Sequence, residues 1–206
     1  MSGEKQAGDK KQLVLRIINI ALSVILALLI CFVVVKVFFI TWAKVDQTSM
    51  YPTYEDGQTV FINRLGKAER GTVAVFYDSD VAVPRISSAF GMFSGDAKLL
   101  IKRTVALEGD KLWLTENSDG DGYRIMIYAE GSEAAVTEEY TGPDGNAVQL
   151  DPITYETAGV LRGTSRLNPY IVGEGCAFMI GDNRDESQDS RAFGDVPVSR
   201  IIGTVI

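Results

Sequence analysis

A serine hydroxyl becomes a nucleophile only when a neighbouring base takes its proton. The stretch DQTSMYPTYEDG, residues 46–57, offers one such serine, Ser49, between Thr48 and Met50, with Pro52 three residues on. The usual base is an imidazole, yet this chain of 206 residues contains no histidine. That single fact excludes Ser-His-Asp and Cys-His catalysis, His-based zinc sites and the HExxH metalloprotease motif. The two cysteines, Cys31 and Cys176, are far apart and form no CxxC pattern, so they read as small apolar fillers. No metal site and no cofactor are expected. Asp, Glu, Lys and Tyr remain as bases.

A lysine can serve if its pKa falls from about 10.4 to about 7 or 8, and burial among apolar side chains can supply that. Lys102 fits this requirement, because it lies in LLIKRTVAL, residues 99–107. Period-2 alternation puts it on one face with Leu100, Thr104 and Ala106, and puts Arg103 on the other with Ile101 and Val105. Lys44, Lys67, Lys98 and Lys111 lie in polar or turn-like surroundings. On pattern alone, a strand lysine extending its ammonium to solvent is the ordinary alternative.

These two residues must be positioned by the elements around them. Residues 17–35 carry no charge, and the apolar run continues past Lys36 to Ile40. Twenty-four residues from Ile17 to Ile40, at about 1.5 Å each, cross a hydrocarbon core of about 30 Å with some tilt. The run is longer than a secretory h-region, and no A-x-A site follows it. A retained transmembrane helix over 17–40 is expected, after a cytoplasmic tail, 1–16. Lys5, Lys10, Lys11 and Arg16 precede the span and only Lys36 and Lys44 follow closely, which favours a cytoplasmic N-terminus. Phe38, Phe39 and Trp42 would form the far aromatic belt. Ser49 lies nine residues beyond Ile40, so it is tethered within about 30 Å of the bilayer.

Residues 41–206 read as an extracytoplasmic, mostly β domain. Short β-branched and aromatic runs at 59–65, 71–77, 98–107, 111–116, 123–129, 176–181 and 201–206 are separated by turn residues. They predict antiparallel sheet forming a partly closed barrel or sandwich. The core would comprise 41–111 and 172–206, with a smaller β subdomain inserted at 112–171. SSAFGMFSG, residues 87–95, reads as a hairpin with inward apolar residues or as an apolar tip that dips into a membrane. A net charge of −7 argues against nucleic acid as a partner.

Four segments carry a resemblance. TSMYPT (48–53), GTVAVF (71–76), KRTVALEGD (102–110) and GDNRDESQDSRAFG (181–194), in this order behind one apolar span, resemble the signature boxes of type I signal peptidases. Those are membrane-anchored Ser/Lys serine proteases that remove signal peptides from exported proteins, and the short single-span chain resembles the compact Gram-positive type. The match covers the anchor and most of the outer domain except roughly 78–97 and 112–175. The resemblance implies that Ser49 is the nucleophile and Lys102 the general base. It implies that Ser187 orients the lysine amine through a hydrogen bond, and that Asp189 and Arg191 are a pair holding their loop. Met50, Pro52 and Thr53 would shape the serine's turn, with Met50 and Ile101 beside the catalytic pair. Gly181, Asp182, Asn183 and Arg184 would form a tight turn lining the site, and Arg103 would be structural. Gln47 departs from the family pattern, in which many members have serine or glycine two residues before the nucleophile. The backbone N–H of Ser49 would still donate to the oxyanion.

The implied activity is cleavage of signal peptides from pre-proteins after small residues, of the Ala-x-Ala type. The implied partners are those signal peptides and the lipid bilayer. The alternative from another class is a non-catalytic anchored β scaffold, and the presence of both serine and lysine separates the two readings.

Overall fold

The computed structural model describes residues 2–78 and 98–206. The chain divides into two compact units, Met1–Ile40 and Thr41–Ile206. The first is dominated by one long helix, α1 (Ser2–Phe38). It starts well before the expected position 17, because the Lys- and Gln-bearing run ahead of the apolar residues also favours helix. It stops two residues before Ile40, which instead opens a strand. Within α1, Gln12–Val35 has a mean hydropathy of 3.0 and is long and apolar enough to cross a membrane. Ile20 and Leu28 are 64% and 65% exposed, the condition of apolar side chains suited to lipid rather than water.

The second unit is mostly β. In chain order its strands are β1 (Ile40–Lys44), β2 (Thr59–Asn63), β3 (Val73–Tyr77), β4 (Leu99–Leu107), β5 (Lys111–Glu116) and β6 (Tyr123–Tyr128). There follow β7 (Val136–Thr137), β8 (Tyr170–Ile171), β9 (Cys176–Ile180), a single-turn helix α2 (Ser190–Phe193), β10 (Val196–Pro197) and β11 (Ile201–Val205). Among the described residues they form a seven-stranded sheet, β1-β2-β11-β3-β4-β9-β10, and a four-stranded one, β7-β6-β5-β8. The recorded strand registers are antiparallel throughout. Register shifts at Ile201/Gly203 and Thr104/Ala106 bend the larger sheet, as β-bulges do.

The second sheet is not a free-standing body. Leu112, Ile125, Ile127, Ile153, Leu161 and Val172 share one buried cluster with Val105, Ala106, Phe178 and Ile180 of β4 and β9. Both sheets therefore bury their apolar faces against each other. Two smaller clusters flank β3, one with Met50, Tyr54, Val60 and Val73, the other with Ala74, Phe76, Ala177 and Met179. The apolar runs of the sequence foretell seven of these strands to within a few residues. β7, β8, β10 and α2 have two to four residues each, too short for a periodic signal, and β1 merges with the end of the long apolar run. The expected alternation of β4 fails at Val105, where the bulge sends both Val105 and Ala106 into the same cluster. Residues 87–95 lie outside the described residues.

Candidate active site

Ser49 sits in a turn after β1, where Thr48 O accepts from Tyr51 N and Met50 O from Tyr54 N. Met50 is wholly buried and anchors this turn in the core. It belongs to the buried cluster with Val45, Tyr54, Val60 and Val73 and does not line the cleft. Pro52 follows a cis Tyr51–Pro52 bond and is exposed. Thr53 Oγ1 donates to Asp182 Oδ2.

Lys102 lies mid-strand on β4, opposite Ala74 of β3. It is only 2% exposed, and its Nζ donates to Ser49 Oγ at 2.6 Å. Burial lowers its pKa from 10.5 to about 8, and Lys98 and Arg191 add to that, against the opposing pull of Asp189 and Asp182. An amine in contact with a hydroxyl and close to losing its proton at neutral pH is the arrangement a serine nucleophile needs.

The two residues are held by the segment that leaves β9. Ile180 pairs with Arg103, so the chain from Gly181 onward emerges beside Lys102. Asn183 N donates to Ser49 O at 3.2 Å, and Asn183 Nδ2 donates to Thr48 O at 3.2 Å. A Cβ on Gly181 would collide with Ser49 O and lie 2.6 Å from Ser187 Cβ, so only glycine lets the loop approach this closely. Thr48 Oγ1 closes the outer side by donating to Glu186 Oε2 at 2.8 Å.

Three buried ion pairs brace this loop. Arg103 donates through Nε and Nη2 to the Asp182 carboxylate at 2.8 and 2.6 Å, and through Nη1 to Gly71 O. Arg191 donates through Nε and Nη2 to Asp189, both at 2.9 Å, while Asp189 also caps α2 and accepts from Gly181 N. Burial alone would raise the Asp189 carboxyl, but Arg191, with Ser187 and the Gly181 N–H, holds it below its ordinary value. Arg184 donates through Nη1 and Nη2 to Glu138 at 2.7 and 2.6 Å. Arg184 thus turns away from the cleft instead of lining it.

Ser187 departs from expectation. Its Oγ is buried without a well-formed hydrogen-bond partner, near enough to Asp189 to favour that carboxylate, and the recorded bond of the Lys102 amine goes to Ser49 instead. Gln47 is exposed and has φ 74°, a left-handed conformation that strains any residue but glycine. Its backbone N–H is committed to Asp56 Oδ1 at 2.8 Å, so only its side chain is free to face the site.

Ser49 and Lys102 open onto a cleft of about 690 Å³, also lined by Gln47, Val60, Phe76, Leu100, Ile101 and Phe193. Lys44, Asp46, Lys98, Glu186 and Gln188 also line it, so its walls mix charged, polar and apolar side chains, with Ile101 next to Lys102 among the apolar ones. Among the described residues no cluster of His, Cys, Asp or Glu could hold a metal ion. Sequence reasoning did not single out Glu138 or Glu186. Both lie in polar stretches with no periodicity, and only tertiary structure brings them to the loop.

The profile of the family described as signal peptidase, peptidase S26, matches residues 17–206, and the chain belongs to that family. Signal peptidase I of Bacillus licheniformis is 28% identical over 211 residues, spanning 99% of this chain and 92% of that protein. Signal peptidase IB of Staphylococcus aureus is 29% identical over 202 residues, spanning 95% of this chain and 88% of that protein. Thylakoidal processing peptidase 1 of Arabidopsis thaliana is 29% identical over 164 residues. There the match spans 78% of this chain but only 39% of the relative. A crystal structure of a signal peptidase I from Enterococcus faecalis aligns at 22% identity over 68% of this chain and 97% of the other, with a TM-score of 0.33.

Proposed function

We propose that this chain is a membrane-anchored serine endopeptidase that removes signal peptides from exported pre-proteins, with Ser49 as nucleophile and Lys102 as general base. The observation that carries this reading is the 2.6 Å contact between Ser49 Oγ and a buried lysine amine. Family membership and the relatives' names supply the substrate class.

The chemistry is acyl transfer. Neutral Lys102 accepts the Ser49 proton as Oγ bonds to the carbonyl carbon preceding the scissile bond. The Ser49 N–H donates to the developing oxyanion. Collapse breaks the C–N bond, Lys102 returns the proton to the leaving amine, and water hydrolyses the ester by the same base. Cleavage after small residues, at Ala-x-Ala junctions, is carried over from the family resemblance, and Val60, Leu100 and Ile101 supply the apolar wall of the cleft beside the dyad. Asp189, Arg191, Asp182 and Asn183 hold the loop against the dyad, and Ser187 acts on the Asp189 carboxylate from its enclosed position. Residues 17–40 act as the anchor, with the N-terminus cytoplasmic and 41–206 extracytoplasmic, where 112–171 is an insertion into the catalytic core. No cofactor enters this scheme.

The test is incubation of the full chain in detergent micelles with a pre-protein carrying an Ala-x-Ala junction, with Ser49→Ala as control. Cleavage at the junction by the wild type, absent in the variant, is expected. Equal cleavage by both would sink the assignment, and no cleavage by the wild type would favour the scaffold alternative.

A further inference from the structure

The segment just after β7, at the edge of the second sheet, contributes two side chains that meet the loop after β9 and its neighbours. Glu138 and Tyr140 follow β7, spaced two apart so that they share one face of an extended segment. Glu138 receives both terminal nitrogens of Arg184, in a pair whose side chains are 5% and 1% exposed. Tyr140 donates its hydroxyl to the same carboxylate at 3.2 Å, and its ring lies 4.7 Å from the Arg103 guanidinium. Arg103 in turn grips Asp182. Two neighbouring residues of one segment thus hold the arginines that fix positions 182 and 184. Between these positions Asn183 bonds to Ser49 O, and Gly181 just before them lies against it.

We propose that Glu138 and Tyr140 are positioning residues for the dyad: they clamp residues 182 and 184 so that the intervening loop presses the Ser49 turn onto the Lys102 amine. The proposal rests on the function proposed above. The physical ground is the cost of moving either end. A guanidinium forked on a carboxylate away from water has a narrow range of acceptable geometry, and losing its partner leaves a buried charge. The ring beneath Arg103 restricts the second arginine in the same way. The loop therefore inherits its position from the second sheet, although no atom of that sheet enters the cleft lining at Ser49.

The test is Glu138→Gln in the full chain in detergent micelles, which keeps the shape and removes the charge. Two readouts separate positioning from bulk stability. The first is the kcat and KM for a signal-peptide substrate. The second is titration of Lys102 by NMR with labelled lysine, assigned by its loss in Lys102→Met, which needs no turnover. In protein that remains folded, kcat should fall at least tenfold with KM within twofold, and Lys102 should titrate closer to an ordinary lysine as water gains access. Tyr140→Phe, which keeps the ring, should show a smaller change in the same direction. Folded Glu138→Gln protein with unchanged kcat and unchanged Lys102 titration would overturn the proposal. If that variant does not fold, Glu138→Gln with Arg184→Gln leaves no lone charge and is read identically. Failure of both to fold would also overturn it, because the pair would then be required for folding itself. Should the wild type prove inactive, the titration still decides the clamp, and only the proposed function falls.

Discussion

Replacing Lys102 by methionine should make the protein more stable at neutral pH while abolishing its activity. The ammonium is 2% exposed, and burial brings its pKa from 10.5 to about 8. That difference corresponds to about 3 kcal/mol against the charged form in the folded state. Because the folded pKa lies below the unfolded one, the unfolded chain holds more protons between about pH 8 and 10.5. Stability therefore rises with pH across that window, and the full penalty is present below it. Methionine has similar length and no charge to desolvate. It forfeits the bond to Ser49, worth about 1 kcal/mol. A net gain of about 2 kcal/mol is expected at pH 7, shrinking towards zero or below by pH 10.5. Urea unfolding of the full chain in micelles, followed by fluorescence of buried Trp113 at pH 7 and pH 10, measures the difference directly. A variant less stable than wild type by the same amount at both pH values would refute the reasoning, since the lysine would then be an ordinary contributor to packing. Cleavage should fall at least about 10³-fold.

Three further outcomes are expected. With Lys102 titrating near pH 8, kcat/KM should climb about tenfold per pH unit below that value and level off above it, because only the neutral amine accepts a proton; a profile flat from pH 6 to 9 would exclude this base. Gly181→Ala should cost about 3 kcal/mol by overpacking against Ser187 and the Ser49 carbonyl, and should lower kcat more than about 100-fold, as measured by thermal unfolding and by cleavage. Gln47→Gly should stabilise the protein by about 0.5–1 kcal/mol by relieving φ 74°, and a lower Tm in calorimetry would show that the side chain holds the turn.

The chemistry was legible where one strand carried its own signal. LLIKRTVAL contains a lysine among apolar β formers, which singles out Lys102 as a candidate base, but the pattern alone equally fits an ammonium reaching solvent, and the resemblance tipped the balance. Absence of histidine narrowed the choice of base further. Matching Ser49 to Lys102 needed the resemblance, because 53 residues separate them and no periodic signal spans that distance. What stayed hidden was long-range and polar. Glu138 and Arg184 lie 46 residues apart, and nothing in GSEAAVTEEY or DNRDES says that they meet. Ser187 shows the converse limit: the resemblance assigned it a bond to the amine, whereas its Oγ is enclosed beside Asp189. The bulge at Val105 was likewise invisible, since β-branched residues are equally at home in regular strand.

That bulge has a bearing on which side chain meets Ser49. Lys102 and Arg103 are adjacent on β4 and face opposite ways, one to the serine and one to Asp182. Sliding the strand by a single residue would exchange them and offer Ser49 a guanidinium, which holds its proton far too tightly to act as a base. Such a molecule would be folded, well hydrogen-bonded and inert. The bulge at Val105 sets the register there, with Thr104 opposite Met179 and Ala106 opposite Phe178, and a strand with an extra residue at one fixed point matches its partner in fewer alignments than a regular one. The bulge thus marks the alignment of β4 in which the amine, and not the neighbouring guanidinium, meets the hydroxyl.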